Sequence, residues 1–361
     1  MYGCQQNLIS PDSELLAVLE FVCSEANNLT NCGIYYARQF YFKAKQIVGK
    51  YDLEVEYKTN KHFQSLYSQA AQQVLRSVAE SFKSFKELSK LFNRGELTDK
   101  PKLPNYKKSG GMALVSYPKQ ALKLVNGLIR IPLGKTVKCW FGLDCFYIPM
   151  PSNLNFDDIR EIRILPRNQE FYVEFVYQVK VEAIELDSSR VLGIDHGIDN
   201  WLTCISNIGT SFIIDGRHLK SLNQWYNKQV ASIKEGKPKD FWLNRLAAIT
   251  EKRNRQMRDT VNKAARLVVN YCLVKQIGNV VFGWNKGNKD NINIGKKNNQ
   301  KFVQISTARL KQRIAQLCEQ YGIRFEETEE SYTSRASFVD NDILPTYGEK
   351  PSCVESIWQT S

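Results

Sequence analysis

Histidine is scarce in this chain: there are three, at 62, 196 and 218. They stand far apart, so the sequence offers no His pair beside a tyrosine nucleophile, the equipment of one class of single-strand transferase. Long apolar runs are also missing. Nothing approaches the roughly 20 apolar residues of a membrane-spanning helix. The opening stretch, MYGCQQNLISPDSE, has neither a basic nor an apolar region and does not read as a signal peptide. Cysteine is present but unpaired: the nine, at 4, 23, 32, 139, 145, 204, 272, 318 and 353, form no CxxC. An odd, scattered set reads as reduced thiols of a cytoplasmic protein.

What the chain has in excess is positive charge, and it is unevenly placed. The net charge is +13 over 361 residues. Residues 216–313 carry 22 Lys/Arg against 5 Asp/Glu, a net of +17. Residues 314–361 carry 3 against 9, a net of −6, and residues 1–215 are near balance at 25 against 23. A solvated helix face is the ordinary account of a basic block. At this excess a polyanion-binding surface is the better one, and its side chains include Arg217, Lys220 and Lys228.

Periodicity divides the chain. Residues 12–94 read as helical, with Leu66, Ala70, Val74, Leu75, Val78, Phe82 and Phe85 on one face of the second long segment. The stretch KPKLPNYKKSGG (100–111) breaks that pattern. Short strands follow at Leu122–Val125, Leu128–Ile131, Lys138–Phe141 and Phe146–Ile148, and a hairpin turns at Pro166–Gln169. This reads as a small antiparallel unit, expected to close as a β-barrel. A polar linker, EAIELDSS, leads on.

From Val191 the order is β-β-β-α-β-α-β. Strands are expected at 190–195, 201–206 and 211–216, a long basic helical stretch at 219–277, a strand at 278–284, a helix through Leu310, Ile314, Leu317 and Cys318 capped by Gly322, and a last strand in IRFEETEE. The first three strands should run antiparallel and the later ones parallel. That is the element order of an RNase H-like domain.

The first of these strands, VLGIDHG, ends on an acid. Asp195 is either a turn residue or a carboxylate held at a sheet rim for a metal. Two-metal phosphodiester hydrolysis needs carboxylates from separate elements around ions roughly 4 Å apart. Asp199 reads as a turn residue and His196 as structural. GWNKGNKDNINIGKKNNQKFVQIS (283–306) interleaves Trp284 and Phe302 with Lys286, Lys289, Lys296, Lys297 and Lys301, a composition suited to nucleic acid. EETEESYTS gathers four glutamates at a strand end. If the strand continues, Glu329 shares a face with Ile323 and Phe325 and Glu330 takes the other; a break there would reverse this.

Four stretches together carry a resemblance: VLGIDHGIDNWLTC, IIDGRHLKSLNQWYNKQ, VFGWNKGNKDNINIGKKNNQKFVQI and EESYTSRASFVDND. They resemble the OrfB/TnpB transposase family of bacterial insertion sequences, relatives of type V CRISPR effectors. The resemblance implies an RNA-guided DNA endonuclease: a helical recognition part (about 12–99) and a β-barrel wedge part (about 100–181) within 1–185, then a RuvC-like domain over 186–361. It implies a guide RNA from the transposon end, a target DNA, a two-metal Mg²⁺ site and a cytoplasmic, nucleoid-associated place in a bacterium.

Asp195 matches the family's first RuvC acid. Gly283 and Trp284 stand where its second acid usually follows a strand, so Glu330 or Glu329 takes that role. Ser337 and Asp340 stand where the family's first zinc-ribbon cysteines would be, and one later thiol, Cys353, cannot complete a site, so no zinc is expected. No segment matches the family's third acid, for which Asp340 or Asp342 would have to substitute. The end, GEKPSCVESIWQTS, reads as a truncation. The expected protein binds guide RNA and DNA but cleaves weakly; the alternatives are an active Mg²⁺-dependent nuclease and a nuclease-dead RNA-guided repressor.

Overall fold

The computed structural model describes residues 1–179, 181, 184–197, 199–238, 241–284 and 306–329. The chain divides into two compact units, Met1–Val179 and Lys180–Ser361.

In the first unit, β1 (Tyr2–Ile9) precedes helices α1 (Ser13–Ala44), α2 (Lys50–Tyr57), α3 (Lys61–Ser65) and α4 (Ser68–Asn93). Asp12 starts α1 by accepting a bond from Leu15 N at 2.8 Å, and Lys45, in the left-handed region at φ 55°, ends it. Strands β2 (Val115–Pro118), β3 (Lys123–Val125) and β4 (Leu128–Pro132), helix α5 (Lys135–Phe141), and strands β5 (Cys145–Pro149), β6 (Ile159–Arg167) and β7 (Glu170–Gln178) complete it. Asn168 and Gln169 both adopt positive φ in the two-residue β6–β7 turn, which matches the twist of the strands it joins.

Two sequence expectations are corrected here. Lys138–Phe141 lies in α5, not in a strand; Gly142 at φ 71° caps that helix. The strands form two sheets, β1-β7-β6-β2 and β3-β4-β5, and no closed barrel is seen among the described residues. The barrel was expected because alternation marks strands without marking their partners. One edge of the larger sheet is β1, pairing antiparallel with β7 from the far end of the unit. No reading of the N-terminal residues had placed a strand there. Helices and sheet share one core: Val74, Leu75, Val78 and Phe82 of α4 belong to the same apolar cluster as Val115, Tyr117, Ile162, Val173 and Phe175.

The second unit holds β8 (Asp187–His196), β9 (Asn200–Ser206), β10 (Ser211–Asp215), α6 (Arg217–Lys234), α7 (Asn244–Val274), β11 (Ile277–Gly283), α8 (Thr307–Tyr321) and β12 (Arg324–Thr328). The sheet order is β10-β9-β8-β11-β12. β8, β9 and β10 run antiparallel, while β11 is parallel to both β8 and β12. The expected strand directions therefore hold. The long basic stretch is two helices rather than one, parted in a segment holding Gly236 at φ 65° and Pro238, neither of which suits a helix interior.

One face of this sheet is covered. Leu192, Ile194, Leu202, Cys204, Val280 and Phe282 pack with Val261, Ala265 and Val268 of α7 and with Leu310, Ile314 and Leu317 of α8. Gly278 lets β11 close on β8, since a Cβ there would lie 2.7 Å from the Asp187 carbonyl oxygen. Among the described residues, no helix is long and apolar enough to cross a membrane.

Candidate functional site

Alternation along β8 puts Leu192 and Ile194 into the helix-covered core and turns Asp195 to the other face. Asp195 pairs with Thr203 of β9, and Thr203 with Ile213 of β10. On the other side, Ile194 pairs with Phe282, so Gly283 is the next residue beside Asp195, and Gly283 pairs with Thr328. A row thus crosses the sheet: Ile213, Thr203, Asp195, Gly283, Thr328. Asp195 is exposed, Ile213 is 57% exposed, and Gly283 brings no side chain between Asp195 and Thr328. Strand spacing sets the β8 and β12 backbones roughly 10 Å apart here. A carboxylate following Thr328 on this face could approach Asp195 across Gly283.

The turn after Asp195 answers its other reading. Gly197 donates to the Trp201 carbonyl at 3.2 Å, and a Cβ on Gly197 would sit 2.6 Å from the Asn200 oxygen. The tight turn therefore rests on Gly197 rather than on the Asp195 side chain. Asp199 belongs to the turn, as expected; its carbonyl accepts from Gly216 and its carboxylate pairs with Lys220 at 2.6 Å.

His196 alternates back to the covered face, with its ring 5.3 Å from that of Trp284 and 6.1 Å from that of Phe282. The ammonium of Lys311 lies 4.4 Å from the Trp284 ring centre and 2.6 Å from Glu327. These four side chains form the rim behind Asp195. Sequence reading treated Trp284 as a nucleic-acid contact and missed Lys311. The available signal was the shared parity of Phe325 and Glu327, which turns one glutamate of the EETEE run toward α8.

The other expected residues fall as follows. Glu329 is exposed, one residue past β12, with the parity of Phe325 and Glu327. Glu330, Lys286, Lys289, Lys296, Lys297 and Lys301 lie outside the described residues, as do Phe302, Ser337, Asp340, Asp342 and Cys353. Arg217, Lys220 and Lys228 are on α6. Arg217 pairs with Asp215 at 3.1 Å, and its backbone and side-chain bonds hold the Asp215 carboxyl below its usual range. Lys220 is committed to Asp199, while Lys228 is exposed. Among the described residues, no group of three His, Cys, Asp or Glu is placed to hold a metal ion. Asp195 offers one carboxylate, and the described residues form no such group around it.

Residues 174–289 match the family model OrfB_IS605, described as a probable transposase. On this segment the chain is similar to the OrfB family. The match spans all of β8 to β11, and so includes Asp195, the basic helices and Trp284. A Cas12f1 structure solved by cryo-EM, in complex with sgRNA and target DNA, has a similar fold. Its TM-score is 0.60 at 16% identity, covering 93% of this chain and 77% of that one. A second structure, a CRISPR-Cas12f ternary complex, aligns at 15% identity and TM-score 0.34 over 89% and 72% of the two chains. No curated protein sequence matches.

Proposed function

We propose that this chain is an RNA-guided DNA-binding protein of the OrfB/TnpB type, whose second unit is a RuvC-like, RNase H-fold nuclease with weak cleavage. The observation that carries this is Asp195, an exposed carboxylate at the end of the central strand of a β10-β9-β8-β11-β12 sheet, inside the matched segment. The partners are those named for the Cas12f1 complex, a guide RNA and a target DNA, the guide here coming from the transposon end. The first unit supplies recognition (12–99) and wedge (100–181) parts, and the nuclease unit begins near 186. The setting is the cytoplasm and nucleoid of a bacterium.

Magnesium is the cation this chemistry calls for, since it takes oxygen ligands and keeps waters for the substrate. Bound, it would stabilise charge on the phosphodiester oxygens. Asp195 would ligate it, with Glu330 or Glu329 as the second acid. Weak cleavage rests on the sequence, in which no segment matches the family's third acid and Ser337 and Asp340 stand in place of the first zinc-ribbon cysteines. Trp284, an aromatic held by Lys311 and His196, brings no ligating oxygen from the strand beside Asp195, which leaves the second acid to the glutamates after β12.

The test uses protein purified from a host carrying its own locus. It should bring down one discrete RNA overlapping the end of the element. With that RNA it should retain a matching plasmid, with affinity falling steeply in salt as counterions return to the phosphates. In Mg²⁺ it should nick slowly, and Asp195→Ala should remove the nicking. Random cellular RNA in place of a discrete species would overturn the guide. Robust Asp195-dependent cleavage would overturn the weak nuclease, and cleavage indifferent to Asp195 would overturn the site.

A further inference from the structure

The stretch KPKLPNYKKSGG, which interrupts the helical pattern, is strapped along α1. Asn27 Nδ2 donates to the Lys108 carbonyl at 3.0 Å. Asn31 makes two bonds to Lys107, donating to its carbonyl at 3.2 Å and accepting from its N–H at 2.8 Å. Arg38 donates to the Pro104 carbonyl at 2.8 Å. The three side chains are one stripe of the helix, at spacings of four and seven residues. Their hydrogen bonds go to main chain only, which leaves the strap's lysine side chains out of them. Lys100, Lys102, Lys107 and Lys108 are all exposed.

Arg38 does a second thing. Its guanidinium lies 5.6 Å from the ring centre of Phe42 and 5.6 Å from that of Tyr106, which belongs to the strap. Both rings stay open, at 47% and 45% exposure, and Tyr35 one turn earlier on α1 is 57% exposed. A cation between two exposed aromatic faces, on a strap that carries four exposed lysines, is an unusual use of surface. Apolar rings in water lose free energy that burial would recover. They recover it when planar partners stack on them, and the lysines set phosphates at either side.

We propose that the strap and the α1 stripe form a platform for unpaired RNA, with bases on Tyr106 and Phe42 and phosphates on the strap lysines. Stacking requires bases that are not paired, which favours a single strand over a duplex. RNA exposes unpaired bases in loops and ends, whereas free DNA hides them in the duplex. This site lies wholly in the first unit and does not depend on Asp195 or on cleavage.

The experiment measures full-length protein against a labelled 20-nucleotide unstructured RNA, the DNA strand of the same sequence, and its duplex, over a salt series. Phe42→Ala with Tyr106→Ala should weaken RNA binding about tenfold at fixed salt, from the loss of stacking. It should leave the salt slope unchanged. Lys107→Ala with Lys108→Ala should instead flatten that slope by about 1.4, two contacts at roughly 0.7 each for a single strand. Tyr106→Phe, which keeps the ring, should bind as the parent does, separating stacking from misfolding. A 4-thiouridine strand should crosslink to the peptide holding Tyr106. Unchanged affinity in the double aromatic variant overturns the platform. Equal losses for duplex DNA overturn the stacking, and equal or tighter binding of the DNA strand overturns the assignment to RNA.

Discussion

Lys311 on α8 places its ammonium 2.6 Å from the Glu327 carboxylate of β12. The lysine is nearly buried, its stem lying under the rim and its head 4.4 Å from the centre of the Trp284 ring. The pair joins a helix to the edge strand at the end from which Glu329 and Glu330 follow. Lys311 is nearly buried while Glu327 faces solvent, so the two removals are unequal. Glu327→Gln leaves Lys311 with the Trp284 face and a neutral acceptor, costing about 1 kcal/mol after screening at a partly exposed carboxylate. Lys311→Ala removes both contacts and the packing of the stem, costing about 2–3 kcal/mol. Urea denaturation of the two variants tests the order. A Lys311→Ala protein as stable as the parent would show that the contact carries nothing.

Buried thiols lead to a second expectation. Burial pushes the pKa values of Cys204, Cys272 and Cys318 up to about 12 each, with Cys272 adding to the rise at the other two. At pH 8 almost none of each is thiolate, and thiolate is the reactive form. A colorimetric thiol reagent should therefore label exposed Cys4 and Cys139 quickly and these three only on unfolding. The sign for stability follows. Unfolded thiols ionise near pH 8.5 and the folded ones only near 12, so the unfolded state binds fewer protons in between. The contribution is complete below about pH 8.5 and is lost as pH rises toward 12. Rapid labelling of all three in native protein at pH 8 would contradict their placement.

Two glycines on neighbouring strands should answer differently to alanine. At Gly278 the added Cβ meets backbone, the Asp187 carbonyl oxygen at 2.7 Å, and β11 would have to move from β8. At Gly193, in the middle of β8, the nearest atom is 3.6 Å away, an ordinary contact. Gly278→Ala should cost about 2–3 kcal/mol through overpacking, whereas Gly193→Ala should be within about 0.5 kcal/mol of the parent. Thermal melts of both would check this. Equal losses would mean that β11 and β8 do not approach as closely as described.

The second unit was more legible in sequence than the first. Its strands are short runs bounded by turns or helices, and the chain order from β8 to β12 almost dictates their directions. Asp195 was visible because a strand that ends on an acid before Gly197 is a local pattern. The pairing of β1 with β7 was not visible. Nothing local in YGCQQNLI names a partner lying some 170 residues away, and its polar middle, Gln5-Gln6-Asn7, hides the strand. Helix α5 was read as a strand because Val137, Trp140 and Phe141 favour sheets, and seven residues are too few for a helical period to emerge. The rim of Trp284, Lys311 and Glu327 escaped for another reason. It joins three elements, and a buried lysine cannot be told from a solvated one by its letter.

Asp195 contributes little to the fold. It is exposed and, among the described residues, takes part in no ion pair; its row neighbours Thr203 and Gly283 are uncharged. Asp195→Ala should therefore melt within about 0.5 kcal/mol of the parent. Its effect on binding should depend on the cation. Without a divalent ion, a carboxylate facing a nucleic-acid backbone repels it, and at short range in partly excluded solvent that repulsion is on the order of 0.5–1 kcal/mol. In EDTA the alanine protein should then hold target DNA about two- to fivefold more tightly than the parent. Adding Mg²⁺ should tighten the parent and leave the variant nearly unmoved, closing the gap. Electrophoretic mobility shifts at equal ionic strength, with and without Mg²⁺, read this directly. If the parent binds DNA as well in EDTA as the variant does, and Mg²⁺ helps both alike, Asp195 does not face the backbone and the nuclease site lies elsewhere.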